Sequence, residues 1–377
     1  MRKRILFTAV AGLALVALLA APAVAKTLKI GSMSPLTGPY AADGNDIANG
    51  VRCAIDMINA SGGIPGYDKI ELYPQDTACD PKQAVAAANK LINIGVVGVI
   101  GAYCSSSTIP ASEALAEEDI IMITPASTNE KVTERGLPYM FRMCGRDDDQ
   151  SKVAGKFIKE ALKAKSIFIV DDKTTYSQGL ADNVAKECKK LGIKVLGHDH
   201  VNQGDKDFSA LLTLAKSKKP EVFYMCLQNH SSGSLMAIQA KRMGLKAKIL
   251  SQDAMYHPNF IKVAKDAAEG IYVTYGYVDT TTDAYKKYEA LYTKKYGEIG
   301  AYATYAYDAA TVLLKAIKNA GSTDPAKIKA EIMKMNFEGA SKWIKFKPNG
   351  DSSSNYIVFV IKNGKYIKYW GPEKGFF

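Results

Sequence analysis

Short apolar runs alternate with longer stretches of helical periodicity along most of the chain. Leu28-Lys29-Ile30 opens the first run, which ends in the turn-forming Pro35-Leu36-Thr37-Gly38-Pro39. Ile47, Val51, Ala54, Ile55 and Ile58 then recur at helical spacing and predict a helix over 47–59. Ser61-Gly62-Gly63-Ile64-Pro65-Gly66 breaks it, and Ile70-Glu71-Leu72-Tyr73 reads as the next strand. Asp80-Pro81 marks a helix start, with Asp as N-cap and Pro at the first helical position. Val85, Ala88, Leu91 and Ile92 share one face of that helix, and strands follow at 96–100 and 120–123. A second series begins after Arg146-Asp147-Asp148-Asp149. Its strands at 166–170, 193–196, 221–227 and 247–250 alternate with helices at 176–191, 208–215 and 234–243. Alternation of this kind predicts parallel sheets with right-handed crossovers. After Gly276 the pattern gives helices at 282–296 and 303–319 and extended segments at 344–346 and 356–361. These elements are too few for a third such domain. They are expected to complete the first two, so the chain reads as two doubly wound α/β lobes between which it crosses more than once.

The N-terminus changes the picture first. Arg2-Lys3-Arg4 precedes an apolar stretch, Ile5 to Ala20, too short to span a bilayer comfortably, and Ala23-Val24-Ala25 supplies small residues for cleavage. A signal peptide over 1–25 and a mature start at Lys26 are expected; a retained anchor is the competing reading. The rest should be soluble and exported to the periplasm. The formal charge is +11, and the positive excess is mostly Lys spread along the chain, as in Lys163, Lys165, Lys189-Lys190, Lys218-Lys219 and Lys286-Lys287. A nucleic-acid binder would cluster Arg with aromatics, so nucleic acid is not an expected partner.

Export permits disulfides. The six cysteines form no CxxC pair, which leaves a zinc ribbon or thioredoxin-type site unsupported. Cys79 and Cys104 each lie beside a predicted strand end and are the favoured pair. The loop of roughly 25 residues they would close is worth about 3–4 kcal/mol on the chain-entropy model. Cys53, Cys144, Cys188 and Cys226 read as small buried apolar residues.

The candidate chemistry lies where hydroxyl residues follow apolar runs. Val96-Val97-Gly98-Val99-Ile100 leads into Cys104-Ser105-Ser106-Ser107-Thr108, and Ile120-Ile121-Met122-Ile123 leads into Thr124-Pro125-Ala126-Ser127-Thr128. If both runs are parallel strands, both clusters sit at the carboxyl edge of one sheet, where free N–H groups and hydroxyls suit a small anion such as a carboxylate. A helix N-cap is the plainer role for Ser105 to Thr108. Enzyme motifs are missing: there is no GxGxxG, GxxxxGK[ST], GxSxG or HExxH. No catalytic residue and no metal or other cofactor is expected. Among four histidines, only His198-Asp199-His200 is suggestive. On a strand both rings would share a face and reach one metal; a polar loop after Leu196-Gly197 is the plainer reading.

Four blocks in order resemble the branched-chain amino-acid-binding proteins of ABC importers, of the type I periplasmic binding fold. They are Pro35-Leu36-Thr37-Gly38, Asp56 to Ile64, Ala78-Cys79-Asp80-Pro81-Lys82-Gln83-Ala84-Val85, and Cys104 to Thr108 with Thr124-Pro125-Ala126. The resemblance implies two lobes joined by a three-strand hinge and closing on ligand. The lobes would comprise 26–145 with 277–353, and 146–276 with 354–377. It implies that the Ser105 hydroxyl binds the ligand carboxylate, with the Ala126 carbonyl and the Thr128 hydroxyl and N–H beside it. Tyr176 and Asp253, the latter where relatives often carry Glu, would cover the ligand and pair with its ammonium. Gln228 falls at a position that often carries tyrosine. Tyr302, Tyr103 and Asp43 complete the expected ligand-binding set. Asp43 either faces the pocket, which would favour a polar, cationic or hydroxylated side chain over an aliphatic one, or faces solvent or caps a helix beginning near Asp46, in which case an aliphatic ligand remains open. The implied function is a monomeric periplasmic receptor that captures an amino acid, branched-chain or another hydrophobic or neutral one, in the cleft between the lobes and passes it to an ABC permease. An aromatic acid, amide or short organic acid as ligand, and a sensing role, are the alternatives.

Overall fold

The computed structural model describes residues 26–376; the segment expected to be a signal peptide, 1–25, lies outside them. β1 (Thr27–Ser34), β2 (Lys69–Asp76), β3 (Gly98–Gly101), β4 (Ile121–Thr124) and β5 (Met140–Arg142) form one parallel sheet in the order β2-β1-β3-β4-β5. Its central strands β3 and β4 are buried along their whole length because both faces are covered, whereas the edge strand β2 alternates apolar with charged residues. Ile121 and Ile123 enter one core with Leu28, Ile30 and Phe141, whereas Met122 enters the other with Val99 and Leu91.

The second sheet contains β6 (Ser166–Asp171), β7 (Lys194–His200), β8 (Val222–Cys226), β9 (Lys248–Ser251) and β10 (Tyr272–Gly276). The short pair β11 (Phe337–Glu338) and β12 (Trp343–Ile344) stands apart. β13 (Tyr356–Lys362), β14 (Lys365–Gly371) and β15 (Gly375–Phe376) then complete the second sheet, in the order β15-β14-β13-β10-β9-β8-β6-β7. β13, β14 and β15 are antiparallel, a departure from the purely parallel lobe expected. The reason is local: Asn363 and Gly364 both have positive φ, 52° and 68°, the backbone a tight Asn-Gly hairpin requires.

Several boundaries differ from expectation. The first long helix is Ala41–Ala60 and begins well before Ile47. β7 runs through His198 and His200, so these residues lie on a strand and not in a polar loop. β5, β10 and the helices Asp147–Lys156, Pro258–Ala264 and Pro325–Met333 were not anticipated. The Asp80 cap is as read: its carboxylate accepts from the Gln83 N–H at 2.8 Å, with Pro81 first in the helix Pro81–Ile94. Cys79 and Cys104 are joined, and the other four cysteines are free and buried. Among the described residues, no helix is long and apolar enough to cross a membrane.

The chain passes from the first sheet to the second after β5, and returns after β10 to the helix Ala303–Ala320, which packs on Ala41–Ala60 and on β3 and β4. It crosses again before β13. Two of these crossings are tied by charge. Asp351 pairs with Arg142 at 2.8 Å and with Arg146 at 2.8 Å, with Arg142 fully buried.

Candidate functional site between the lobes

The carboxyl ends of β3 and β4 carry the two hydroxyl clusters, and the structure divides their labour. The Thr124 hydroxyl donates to the Ala102 carbonyl at 2.8 Å and accepts from the Ser127 N–H at 3.0 Å. Ser127 Oγ lies 2.6 Å from Thr108 Oγ1. These three hydroxyls hold one loop against the other. Arg142 adds a brace from beneath, donating to the Ser127 and Asn129 carbonyls at 3.2 and 2.7 Å. Ser105 opens the helix Ser105–Glu117, directly after Cys104 in the cap position. Its hydroxyl accepts one long bond, 3.3 Å, from the Asn129 N–H and retains bonding capacity at a positive helix end. Ala126 and Thr128 are buried. Thr128 Oγ1 makes no well-formed hydrogen bond, although the Asp147 carboxyl lies beside it.

The second lobe presents Tyr176, in the helix Thr175–Lys190 capped by Thr174. The Tyr176 hydroxyl donates to Gln252 Oε1 at 2.7 Å and also contacts the Asp253 carboxylate. Gln252 is itself anchored, its amide donating to the Leu227 carbonyl at 2.7 Å. Asp253 is buried, and burial raises its carboxyl above the ordinary range despite the Tyr176 hydroxyl and the nearby Gln150 and Tyr302, which oppose the rise. An acid held in this way gains most from a cation brought beside it.

These parts meet. Tyr103, Ser105, Ala126, Tyr176, Gln228 and Tyr302 line one cavity of about 10 Å³, with Ala254, the neighbour of Asp253, and the Cys79–Cys104 disulfide at its wall. Gln228 reaches across and touches Cys104 Sγ. The Tyr103 ring stands edge-on to Tyr302 at 5.5 Å and 6.0 Å from Tyr40. Larger hollows of about 590 and 530 Å³ occur elsewhere on the surface, and neither includes Ser105, Tyr176 or Asp253.

Asp43, Thr128 and Asp253 are outside that lining, Asp253 reaching it only through its contact with the Tyr176 hydroxyl. Because its helix begins at Ala41, Asp43 is already within the first turn and its side chain makes no cap. It is buried, 3% exposed, with Oδ2 at 3.7 Å from His230 Nε2 and Oδ1 at 3.8 Å from His257 Nε2. Neither histidine carried a site signal in the sequence. His230 begins a helix and His257 precedes a proline, positions that read as turns. His198 Nε2 and His200 Nδ1 both lie on Asp171 Oδ2, at 2.7 and 2.8 Å. A single buried carboxylate thus satisfies one nitrogen of each ring.

The site is a cleft receptor's: donors on one sheet edge, an acid and a tyrosine on the facing edge, and a hinge between them. The family model for periplasmic binding proteins matches residues 27–365, and the chain belongs to that family, one of solute-binding receptors. It is 40% identical over 346 residues to an amino acid binding protein of Pseudomonas aeruginosa, covering 89% of this chain and 91% of the relative. It is 38% identical over 329 residues to the leucine-, isoleucine-, valine-, threonine-, and alanine-binding protein of the same organism, covering 87% of each. The crystal structure of a leucine binding protein from Thermotoga maritima superposes with a TM-score of 0.85 at 31% identity, covering 92% of this chain and 99% of that one. A branched-chain amino acid transporter substrate binding protein from Streptococcus pneumoniae, in complex with isoleucine, gives 0.83 at 27% identity, covering 90% and 98%.

Proposed function

We propose that the protein is a periplasmic receptor that closes its two lobes on an amino acid and delivers it to an ABC importer. The α-carboxylate is taken by Ser105 and Thr128 at the positive end of the helix Ser105–Glu117. The α-ammonium is taken by Asp253 and the Ala126 carbonyl, with Tyr176 ordering the acid. Gln228, Tyr103 and Tyr302 close the cleft around the remainder. One observation carries the reading: Ser105 and Ala126, from one lobe, share a single cavity with Tyr176 from the other, whose hydroxyl touches Asp253. Charge-assisted hydrogen bonds of this kind contribute about 1.5–3 kcal/mol each.

The cavity of about 10 Å³ is little more than one water's space, so capture requires the lobes to part and close again on the ligand. The lobes in this reading are 26–145 with 277–353 and 146–276 with 354–377, moving about the crossing segments. The mature chain begins at Lys26 after cleavage behind Ala25, acts as a monomer in the periplasm, and docks on the permease subunits. The relatives' names extend to this chain the expectation of an amino-acid ligand. Calorimetric titration with the twenty amino acids should find at least one bound at micromolar affinity or tighter. Binding of none of them, with an aromatic or short organic acid bound instead, would replace the ligand class while keeping the fold.

A further inference from the structure

The cleft has a second polar feature. Asp43 projects from the helix Ala41–Ala60 in the first lobe, His230 from the start of the helix His230–Arg242 in the second, and His257 from the residue before Pro258–Ala264. All three are at most 5% exposed, and Asp43 Oδ2, His230 Nε2 and His257 Nε2 have no hydrogen-bond partner. The separations of 3.7 and 3.8 Å are too long for direct bonds. Buried polar atoms are almost always paired, so three together facing one another define a place for another polar group. The cluster lies near the cavity: Asp43 is in the first turn of the helix after Tyr40, whose ring is 6.0 Å from that of the lining Tyr103. It also sits on the lobe interface, where Asn229 donates to the Pro39 carbonyl at 3.0 Å and Gln203 donates to Tyr40 Oη at 2.8 Å.

Geometry narrows what fits. The two imidazoles are stacked 9° from parallel with centroids 4.2 Å apart. In-plane nitrogen directions from near-parallel rings run side by side and do not converge on one ion, which disfavours a metal. His257 Nδ1 accepts from the Asn259 N–H at 3.0 Å, so its proton is on Nε2 and the ring offers a donor to the cluster. Burial lowers His230 to about 4 and His257 to about 3, which keeps both rings neutral near pH 7. Burial, with Asp46 nearby, likewise raises the Asp43 carboxyl to about 8, so the cluster offers both donors and acceptors and little net charge near pH 7.

We propose that Asp43, His230 and His257 form the specificity end of the cleft and receive the neutral hydrogen-bonding end group, carboxamide or hydroxyl, of an amino-acid side chain in preference to an aliphatic one. This rests on the amino-acid receptor reading. An aliphatic end group would leave the three buried atoms unpaired, whereas a carboxamide or hydroxyl both accepts from His257 Nε2–H and donates to Asp43 or His230.

Two nearly isosteric pairs test it by calorimetry on the mature protein: asparagine against leucine, and threonine against valine. The polar member of at least one pair should bind about tenfold or more tightly than its partner, and Asp43→Leu should bring that ratio close to one. Leucine and valine binding as tightly as their polar partners would overturn the inference and leave the receptor reading standing. So would a preference for lysine or arginine, which would make Asp43 a cation site. Binding of none of the twenty amino acids would remove the receptor reading and this inference together. The comparison of pairs needs no variant, so it stands even where Asp43→Leu fails to fold.

Discussion

The two ends of the cleft are built on opposite principles. At one end, Ser105 opens a helix and Ala126 and Thr128 lie on the loop after β4, the two braced together by Thr108, Thr124, Ser127 and Arg142, and the facing acid is already held by Tyr176. Groups common to all amino acids, a carboxylate and an ammonium, would meet a rigid set of partners there. At the other end, Asp43, His230 and His257 face one another with unpaired atoms, although the histidine backbones are held by Ser234 and Tyr366 and the His257 ring by the Asn259 N–H. The loops of the first end are tied together without the ligand, although Thr128 Oγ1 is itself unpaired, whereas at the second end each of the three residues leaves a polar atom unpaired. In the proposed reading, recognition of the class would be carried by a preorganised region, and discrimination within the class by one whose polar atoms acquire partners only from the right side chain.

Variants should separate the two ends. The largest effect is expected from Arg142→Met, which leaves Asp351 buried with one guanidinium fewer and should cost about 3–5 kcal/mol of stability, read as a lowered Tm. Because Arg142 also braces the Ser127–Asn129 loop, the folded fraction should bind every amino acid more weakly and in an unchanged rank order. The same network gives a pH dependence. Burial alone would raise the Asp351 carboxyl, but Arg142 and Arg146 outweigh it and hold it below the ordinary value. Its stabilisation is therefore complete above the unfolded carboxylate range near about pH 4 and is lost as pH falls through the lower folded value. Thermal denaturation of the wild type should show Tm falling on acidification below about pH 4, and Arg142→Met should show less of that fall. A smaller effect is expected from Ser105→Ala, about 1.5–3 kcal/mol in binding, again equal across ligands. A change in rank order with Ser105→Ala would break the distinction between the ends, because it would mean that the carboxylate end also chooses among side chains.

The same contrast explains what could be read from the chain. Ser105, Ala126 and Thr128 follow their strands within a few residues, so the strand-to-hydroxyl pattern exposes them. The Asp80 cap and the Cys79–Cys104 pair are likewise near strand ends. Arg142 could not be found this way: its partner Asp351 is 209 residues distant, and β5 around it is only 3 residues long. His230 and His257 come from separate turns in the second lobe, and only closure of the lobes sets them against Asp43. The helix start at Ala41 was hidden because Ala41, Ala42, Asp43 and Gly44 carry no apolar periodicity. The antiparallel edge did have a local signal, the Asn363-Gly364 dipeptide between two apolar runs.

The central claim, that Asp253 receives the α-ammonium of the ligand, is tested most directly by a double-mutant cycle in the calorimeter. Wild type and Asp253→Asn are each titrated with the tightest-binding amino acid and with its deamino analogue. Loss of the amino group from the ligand and loss of the charge from Asp253 should each cost about 2–5 kcal/mol, and the two together little more than either alone. Two losses that simply add would place the ammonium elsewhere and contradict the account.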